Sequence, residues 1–313
     1  MLKLTPDTPD ARHAVLEILA ELETRRGTRV LCFYQDHRRG DEELGPAALE
    51  EFRAALATLG ETDRVSVLIE SPGGDIHAAY QMLKLLRARA SYVEVLISNW
   101  AKSAATFFCL GADRIIMAET AEMGPLDAQL SNPRGSWIFS SALNSFKSLE
   151  YLRQYALETL DYVLGYLTLG QTSPAMDYPY ALQYAQPIVN GMISPLFEQV
   201  NPHQLGEARL QLAVAEEYTK RVMSRYSYRD WSPSQVNKVV RQLVWDYPIH
   251  SFVIDLDEAQ SLGLRAERMD GETSDLCERL LQTVSGCVGV RPTPTTSELP
   301  AAMVAGDLHE NGH

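Results

Sequence analysis

The chain has 313 residues, of which 45% are hydrophobic and 22% charged, with a formal net charge of −13. This is the composition of a globular chain long enough to bury a sizeable core. The acidic balance excludes nucleic acid as a natural partner, because phosphates would be repelled.

In chain order, residues 11–25 carry an apolar stripe at helical spacing: Val15, Leu16, Ile18, Leu19 and Leu22. Residues 28–34 contain RVLCFY, a run of strand length, and residues 35–45 form a polar loop. Residues 46–59 return to helical periodicity and stop at Gly60. Residues 64–70 (RVSVLIE) are β-rich, SPGGD is a turn, and residues 75–87 are helical. Residues 92–97 (YVEVLI) read as another strand, residues 103–110 as a helix of small and aromatic residues, and residues 114–117 (RIIM) as a third strand. This alternation predicts a parallel sheet covered by helices.

From residue 140 the pattern becomes helical. Helices are expected over 140–169, 181–200, 206–226 and 236–245, with Gly170, Pro174, Pro179, Pro202 and Pro233 as breaks. Residues 251–254 read as a short strand, 256–262 as a short helix and 264–268 as a last strand. Residues 289–313 are rich in Pro, Thr, Gly and Ala and read as a disordered tail. The expected organisation is an N-terminal helix (1–27), an α/β core (28–139), a helical elaboration with a returning strand segment (140–270), and a C-terminal helix and tail (271–313).

Cys32, Cys109, Cys277 and Cys287 form no CxxC pair and have no zinc-ligand spacing. Residues 1–10 hold no apolar leader, and no stretch approaches the ~20 apolar residues of a membrane span. The expectation is a cytoplasmic protein with reduced thiols and no positive signal for membrane contact. With no GxGxxG, P-loop or HExxH, neither an organic cofactor nor a metal is expected.

Two segments suggest chemistry. Ser71-Pro72-Gly73-Gly74 joins a strand to a helix, and its glycines let backbone N–H groups approach a ligand. That suits an oxyanion site, or simply a tight turn that needs glycine. Ser103 opens a helix after a strand and the NWAK turn. A serine there is either a helix N-cap or a nucleophile at the sheet's C-terminal edge.

The strand–SPGG–helix–strand–SAA–helix order resembles the Clp-protease/crotonase superfamily. GADRIIM followed by GPLD resembles its signal peptide peptidase A-like branch. More narrowly, SPGGDI, KSAAT, ADRIIM and MGPLD, in that order, resemble the serine dehydrogenase proteinase family. FKSLEYLRQYA, LVWDYPIHSFVI and DEAQSLGL are similar to that family too, so the resemblance spans roughly residues 29–269. It implies a Clp-protease/crotonase-like fold: a parallel sheet with flanking helices and a helical elaboration. Ser103 would be the nucleophile, and the N–H groups of Gly74 and Ala104 would form the oxyanion hole.

The base departs from the Clp pattern, because MAETAEMGPLDAQL contains no histidine. The peptidase A-like branch uses a lysine from a later helix, which here matches Lys147. A serine needs such a neighbouring base, and a lysine serves once desolvated. The alternative for Lys147 is a lysine snorkelling from an amphipathic helix. Lys102 is a weaker candidate. His250 in DYPIHSF is a base, an orienting group or an ordinary loop histidine, and Asp127 in GPLD positions backbone or caps the next segment.

The resemblance implies a serine endopeptidase of the Ser-Lys type, acting on peptides or unfolded segments as a homo-oligomer. Two other readings stay open. One is a crotonase-like enzyme acting on a thioester. The other is a non-catalytic oligomeric scaffold of the same fold.

Overall fold

The computed structural model describes residues 8–35, 43–127, 129–130, 140–169, 175–284 and 287–291. Its elements, in order, begin with α1 (Pro9–Arg26), β1 (Arg29–Tyr34), α2 (Pro46–Leu59), β2 (Arg64–Ser71), α3 (Ile76–Arg87) and β3 (Tyr92–Ala101). There follow α4 (Ala104–Leu110), β4 (Arg114–Met117), β5 (Glu122–Met123), β6 (Gln129–Leu130) and β7 (Ser140–Ser141). The long helices are α5 (Ala142–Thr168), α6 (Tyr178–Phe197) and α7 (Pro202–Val222). The chain continues with α8 (Pro233–Arg241), α9 (Leu256–Ser261), β8 (Ala266–Arg268), α10 (Gly271–Thr283) and β9 (Cys287–Val290). Single π-helical turns, Met223–Ser227 and Gln242–Asp246, prolong α7 and α8.

These elements fall into two compact units. One comprises Met1–Leu126, Tyr218–Val240 and Ser251–His313; the other comprises Asp127–Glu217 and Arg241–His250.

The first unit is built on a sheet of order β8-β4-β3-β2-β1-β9, with β5 alongside the end of β3. Every pairing is parallel except that of β9 with β1. β1, β2 and β3 are buried along most of their length. That is why they read as continuous apolar runs rather than alternations. The fold is the expected mixed α/β one, a mostly parallel sheet with flanking helices. Cys32, Cys109 and Cys277 are buried in this unit and are not in disulfides. Burial pushes the Cys109 thiol up and the Cys277 thiol up to about 12, so both are unreactive core groups.

Three expectations are corrected here. In residues 251–254 only Ile254 pairs, through a single bridge to Met123, because the run begins in a turn and is too short to form a ladder. Pro202 and Pro233 are not breaks but first residues of α7 and α8, where a missing N–H costs nothing. The expected tail begins two residues inside a strand. Gly289 and Val290 pair with Cys32 and Leu31 in β9. The next residue, Arg291, is tied to Glu23 of α1 (Nε to Oε2, 2.9 Å). The rest of that expected tail, from residue 292, lies outside the described residues.

A buried ion pair fixes α1 to the sheet. Glu94 of β3 accepts two hydrogen bonds from the Arg26 guanidinium (2.7 and 2.8 Å), one from Ser66 (2.6 Å) and one from Tyr92 (3.1 Å). Burial alone would raise the Glu94 pKa, but the Arg26 and Ser66 hydrogen bonds and the Arg26 charge outweigh it. The carboxyl is held below its ordinary value. A depressed carboxylate stabilises the fold fully above its unfolded pKa of about 4.3, and that stabilisation is lost as pH falls from there through the lower folded pKa. Glu94→Gln is therefore expected to cost about 3 kcal/mol at neutral pH, because Arg26 loses its partner. In urea titrations run from pH 7 to pH 3, the gap between variant and native chains should begin to narrow below about pH 4. A gap independent of pH would show that the carboxylate charge is not what holds α1.

The second unit packs α5 against α6 through Leu164, Ala181 and Ala185. On α6, Ala181, Ala185, Val189 and Ile193 form the buried stripe. The adjacent stripe, Tyr180, Tyr184, Ile188 and Met192, is exposed. Helix α6 contains no charged residue.

Candidate active site

The site in the first unit is made by an irregularity between two central strands. Ile69 of β2 pairs with Ile97 of β3, yet Ser71 pairs with Ala101. β3 thus carries two extra residues over this stretch, and the excess is taken up by side chains. Glu70, buried in β2, accepts hydrogen bonds from Asn99 (2.6 Å) and the Trp100 indole (3.1 Å). The bulged strand then delivers Lys102 and Ser103 to the start of α4.

Ser103 has φ 50° and ψ −119°, and among the described residues it is the only non-glycine with positive φ. Such a conformation costs a residue with a Cβ roughly 1–3 kcal/mol. Ser103 does not behave as an N-cap: its side chain makes no capping hydrogen bond. The hydroxyl is half-buried and has no hydrogen-bond partner among the described residues. The fold therefore strains a serine at a strand-to-helix turn and leaves its oxygen available.

The glycine loop is pressed against this turn. Gly73 and Gly74 have φ of 96° and 137°, values that disfavour any other residue. A Cβ on Gly73 would lie 2.6 Å from the Lys102 carbonyl oxygen, 2.8 Å from Ser103 Cβ and 3.0 Å from the Ala104 nitrogen. On its other side the loop is pinned by Leu44. The Leu44 N–H donates to the Gly73 carbonyl (2.7 Å), and the Asp75 N–H donates to the Leu44 carbonyl (2.6 Å). In a parallel bridge centred on Gly74, those two bonds leave the Gly74 N–H facing away from Leu44. Neither the Gly74 nor the Ala104 N–H has an acceptor among the described residues. Ser71 Oγ steadies the loop by accepting the Gly73 N–H (3.1 Å) while donating to Gln35.

The MGPLD segment buttresses α4. Thr106 donates to the Ala101 carbonyl (2.6 Å) and accepts the Gly124 N–H (3.0 Å). The Lys102 amine is engaged by Glu122 (2.7 Å) and the Met123 carbonyl (3.1 Å). It is thus committed to a structural pair rather than offered to Ser103.

The other candidate residues gather in the second unit. Lys147, in the second turn of α5, donates to the Tyr247 carbonyl. Its neighbour Phe146 meets the Trp245 ring edge-on, with centroids 5.8 Å apart. Asp127 is almost wholly buried. One of its oxygens lies 2.8 Å from His250 Nδ1, and the other accepts from the Ser141 hydroxyl. So Ser103, Ala104, Gly73 and Gly74 lie together in one unit, and Lys147, Asp127 and His250 in the other. Among the described residues, no group of three or more His, Cys, Asp or Glu side chains is placed to hold a metal.

Residues 8–145 match the family of ClpP-like SDH-type serine proteinases. The matched region takes in the glycine loop, Ser103 and the MGPLD segment. An uncharacterized protein of Methanocaldococcus jannaschii is 33% identical over 128 residues, which is 37% of this chain and 43% of the relative. A second uncharacterized protein of that organism is 31% identical over 126 residues, 37% of this chain and 42% of the relative. The chain thus spans less than half the length of these curated relatives. Among solved structures, a mutant of the 1510-N membrane-bound stomatin-specific protease in complex with a substrate peptide is 20% identical, with a TM-score of 0.28. That match covers 37% of this chain and 56% of the protease. A ClpP1 mutant from Listeria monocytogenes is 11% identical over 81% of this chain and 98% of its own, with a TM-score of 0.36.

Outside the glycine loop, the Ser103 turn and the MGPLD segment, sequence reasoning missed Glu70 and Leu44, which shape the site through partners far away in the chain. It also missed an aromatic group in the first unit. Tyr218 stacks on Tyr80 (4.5 Å between centroids) and lies 3.1 Å from His77 Nδ1.

Proposed function

We propose that the protein is a serine peptidase that cleaves peptides or unfolded segments by acyl transfer to Ser103. The observation that carries this reading is the strained, unpartnered Ser103 packed against the Gly73-Gly74 loop. In the proposed mechanism the Ser103 oxygen attacks a peptide carbonyl while Lys147, whose helix resembles the lysine helix of the signal peptide peptidase A-like branch, takes the hydroxyl proton. The N–H groups of Gly74 and Ala104 hold the developing oxyanion; both lack acceptors among the described residues, which supports that role. Lys147 returns the proton to the leaving amine, and water, deprotonated in turn, releases the acyl group.

The proposal includes a cytoplasmic homo-oligomer. In support, no helix among the described residues is long and apolar enough to cross a membrane. The uncharged α6, with its exposed Tyr180, Tyr184, Ile188 and Met192, offers the kind of apolar surface that subunits bury.

A fluorophosphonate probe tests the chemistry. The native chain should be labelled at Ser103, and Ser103→Ala should not be labelled at all. Lys147→Ala should be labelled at least 100-fold more slowly, the usual weight of a general base. Labelling that persists in Ser103→Ala places the nucleophile elsewhere. An unchanged rate in Lys147→Ala removes the lysine from the mechanism.

A further inference from the structure

The second unit holds a buried carboxylate that the mechanism above leaves without a role. Asp127 joins three points of the chain. It takes the Ser141 hydroxyl on one oxygen and His250 Nδ1 on the other. Ser141 in turn caps α5 by accepting the Leu143 N–H (3.0 Å), so Asp127 is fixed to the start of the helix that carries Lys147. His250 lies three residues beyond Tyr247, whose carbonyl receives the Lys147 amine.

The direction of that carbonyl has a reason legible in the sequence. Pro248 disfavours a helical conformation in the residue before it. Tyr247 is accordingly extended, with φ −69° and ψ 141°, immediately after the π-helical turn. Its carbonyl is turned out of the helical ladder, and the Lys147 amine takes it. The 247–250 segment is therefore held at its first residue by Lys147 and at its last by Asp127.

We infer that the Asp127–His250 pair is a positioning device for the Lys147 amine. It fixes the 247–250 segment against the start of α5, and so holds the Tyr247 carbonyl where it fixes one N–H of Lys147. A neutral amine has two N–H bonds and one lone pair. Anchoring one N–H on a fixed carbonyl removes free rotation about the Cε–Nζ bond and confines the lone pair to a few directions. A proton acceptor that wanders by about 1 Å loses on the order of 100-fold in rate. His250 acts in this scheme through Nδ1 and the backbone it carries, as a positioning residue and not as a base. The inference rests on the reading of Lys147 as the base.

The test uses full-length Lys147→Ala, His250→Ala, His250→Gln, Asp127→Asn and the double variant Lys147→Ala/His250→Ala. Fluorophosphonate labelling rates at Ser103 are measured from pH 6 to pH 10, and thermal melting checks that each variant is folded. His250→Ala and Asp127→Asn should be labelled roughly 10–100-fold more slowly. His250→Gln should recover most of that loss, because its amide N–H replaces Nδ1 as the donor to Asp127. The double variant should be no slower than Lys147→Ala alone, since both changes act through one amine.

Native labelling in folded His250→Ala overturns the inference, as does an additive loss in the double variant. A folded His250→Gln that is as slow as His250→Ala also overturns it and makes the imidazole itself the active group. If His250→Ala does not fold, His250→Gln and Asp127→Asn decide. Unchanged labelling in Lys147→Ala is a different failure, because it removes the base reading on which the inference stands.

Discussion

Ser103→Gly is expected to melt at a higher temperature than the native chain while losing its acyl chemistry. Serine at φ 50° and ψ −119° bears about 1–3 kcal/mol of backbone strain that glycine does not feel. Glycine gives back roughly 0.5–1 kcal/mol through the greater freedom of the unfolded chain. The net gain is about 1 kcal/mol, which for domains of this size raises the melting temperature by roughly 2–4 °C. Peptide hydrolysis should fall by a factor of roughly 10⁴–10⁶, the loss seen when a serine nucleophile is removed. Ser103→Ala makes the informative contrast: equally inactive, with the strain retained and no gain in stability. A glycine variant that melts lower would show that the turn is unstrained. One that still hydrolyses peptide would show that Ser103 is a bystander.

Gly73→Ala is expected to be among the most damaging single-methyl additions in the chain. The new carbon would meet the Lys102 carbonyl oxygen at 2.6 Å and Ser103 Cβ at 2.8 Å, and neither is the far end of a flexible side chain. Overpacking costs roughly 1–3 kcal/mol, and the positive φ adds a comparable amount. The loop escapes only by moving away from Ser103, which would also cost at least 100-fold in labelling rate. Gly191→Ala in α6 is the matched control. Nothing lies within 4 Å of its added carbon, so it should stabilise the helix by about 1 kcal/mol and leave labelling untouched. Equal effects at the two positions, by melting and by labelling, would refute the close approach of the two loops.

The fold was largely legible because its central strands are buried on both faces and announce themselves as apolar runs between glycine-marked turns. RVSVLIE and YVEVLI needed no partner to be recognised. What escaped was whatever a distant residue decides. Ser251 to Ile254 has strand-like residues, but only Ile254 finds backbone to pair with. Gly289 and Val290 sit in a stretch whose composition speaks for disorder, yet β1 offers them an open margin. Proline, too, cuts both ways: at Pro202 and Pro233 it begins a helix, and position, not residue type, decides.

The same division runs through the candidate site. The glycine loop and Ser103 were visible because their roles are local, set by a turn and a helix start. Glu70 looked like the end of a strand, and only the bulge in β3 shows why a carboxylate is buried there. Asp127 and His250 could be weighed singly but not as a pair, since 123 residues separate them.

The position of β9 bears on how the polypeptide matures as it is synthesised. Strands β1 to β4 can associate as they leave the ribosome, each joining a neighbour made shortly before. The flank of β1 that β9 covers has no complement until residues 287–290 have been translated. From the emergence of β1 until that point, the nascent sheet therefore carries an unsatisfied row of amides and carbonyls there, the feature that invites wrong partners.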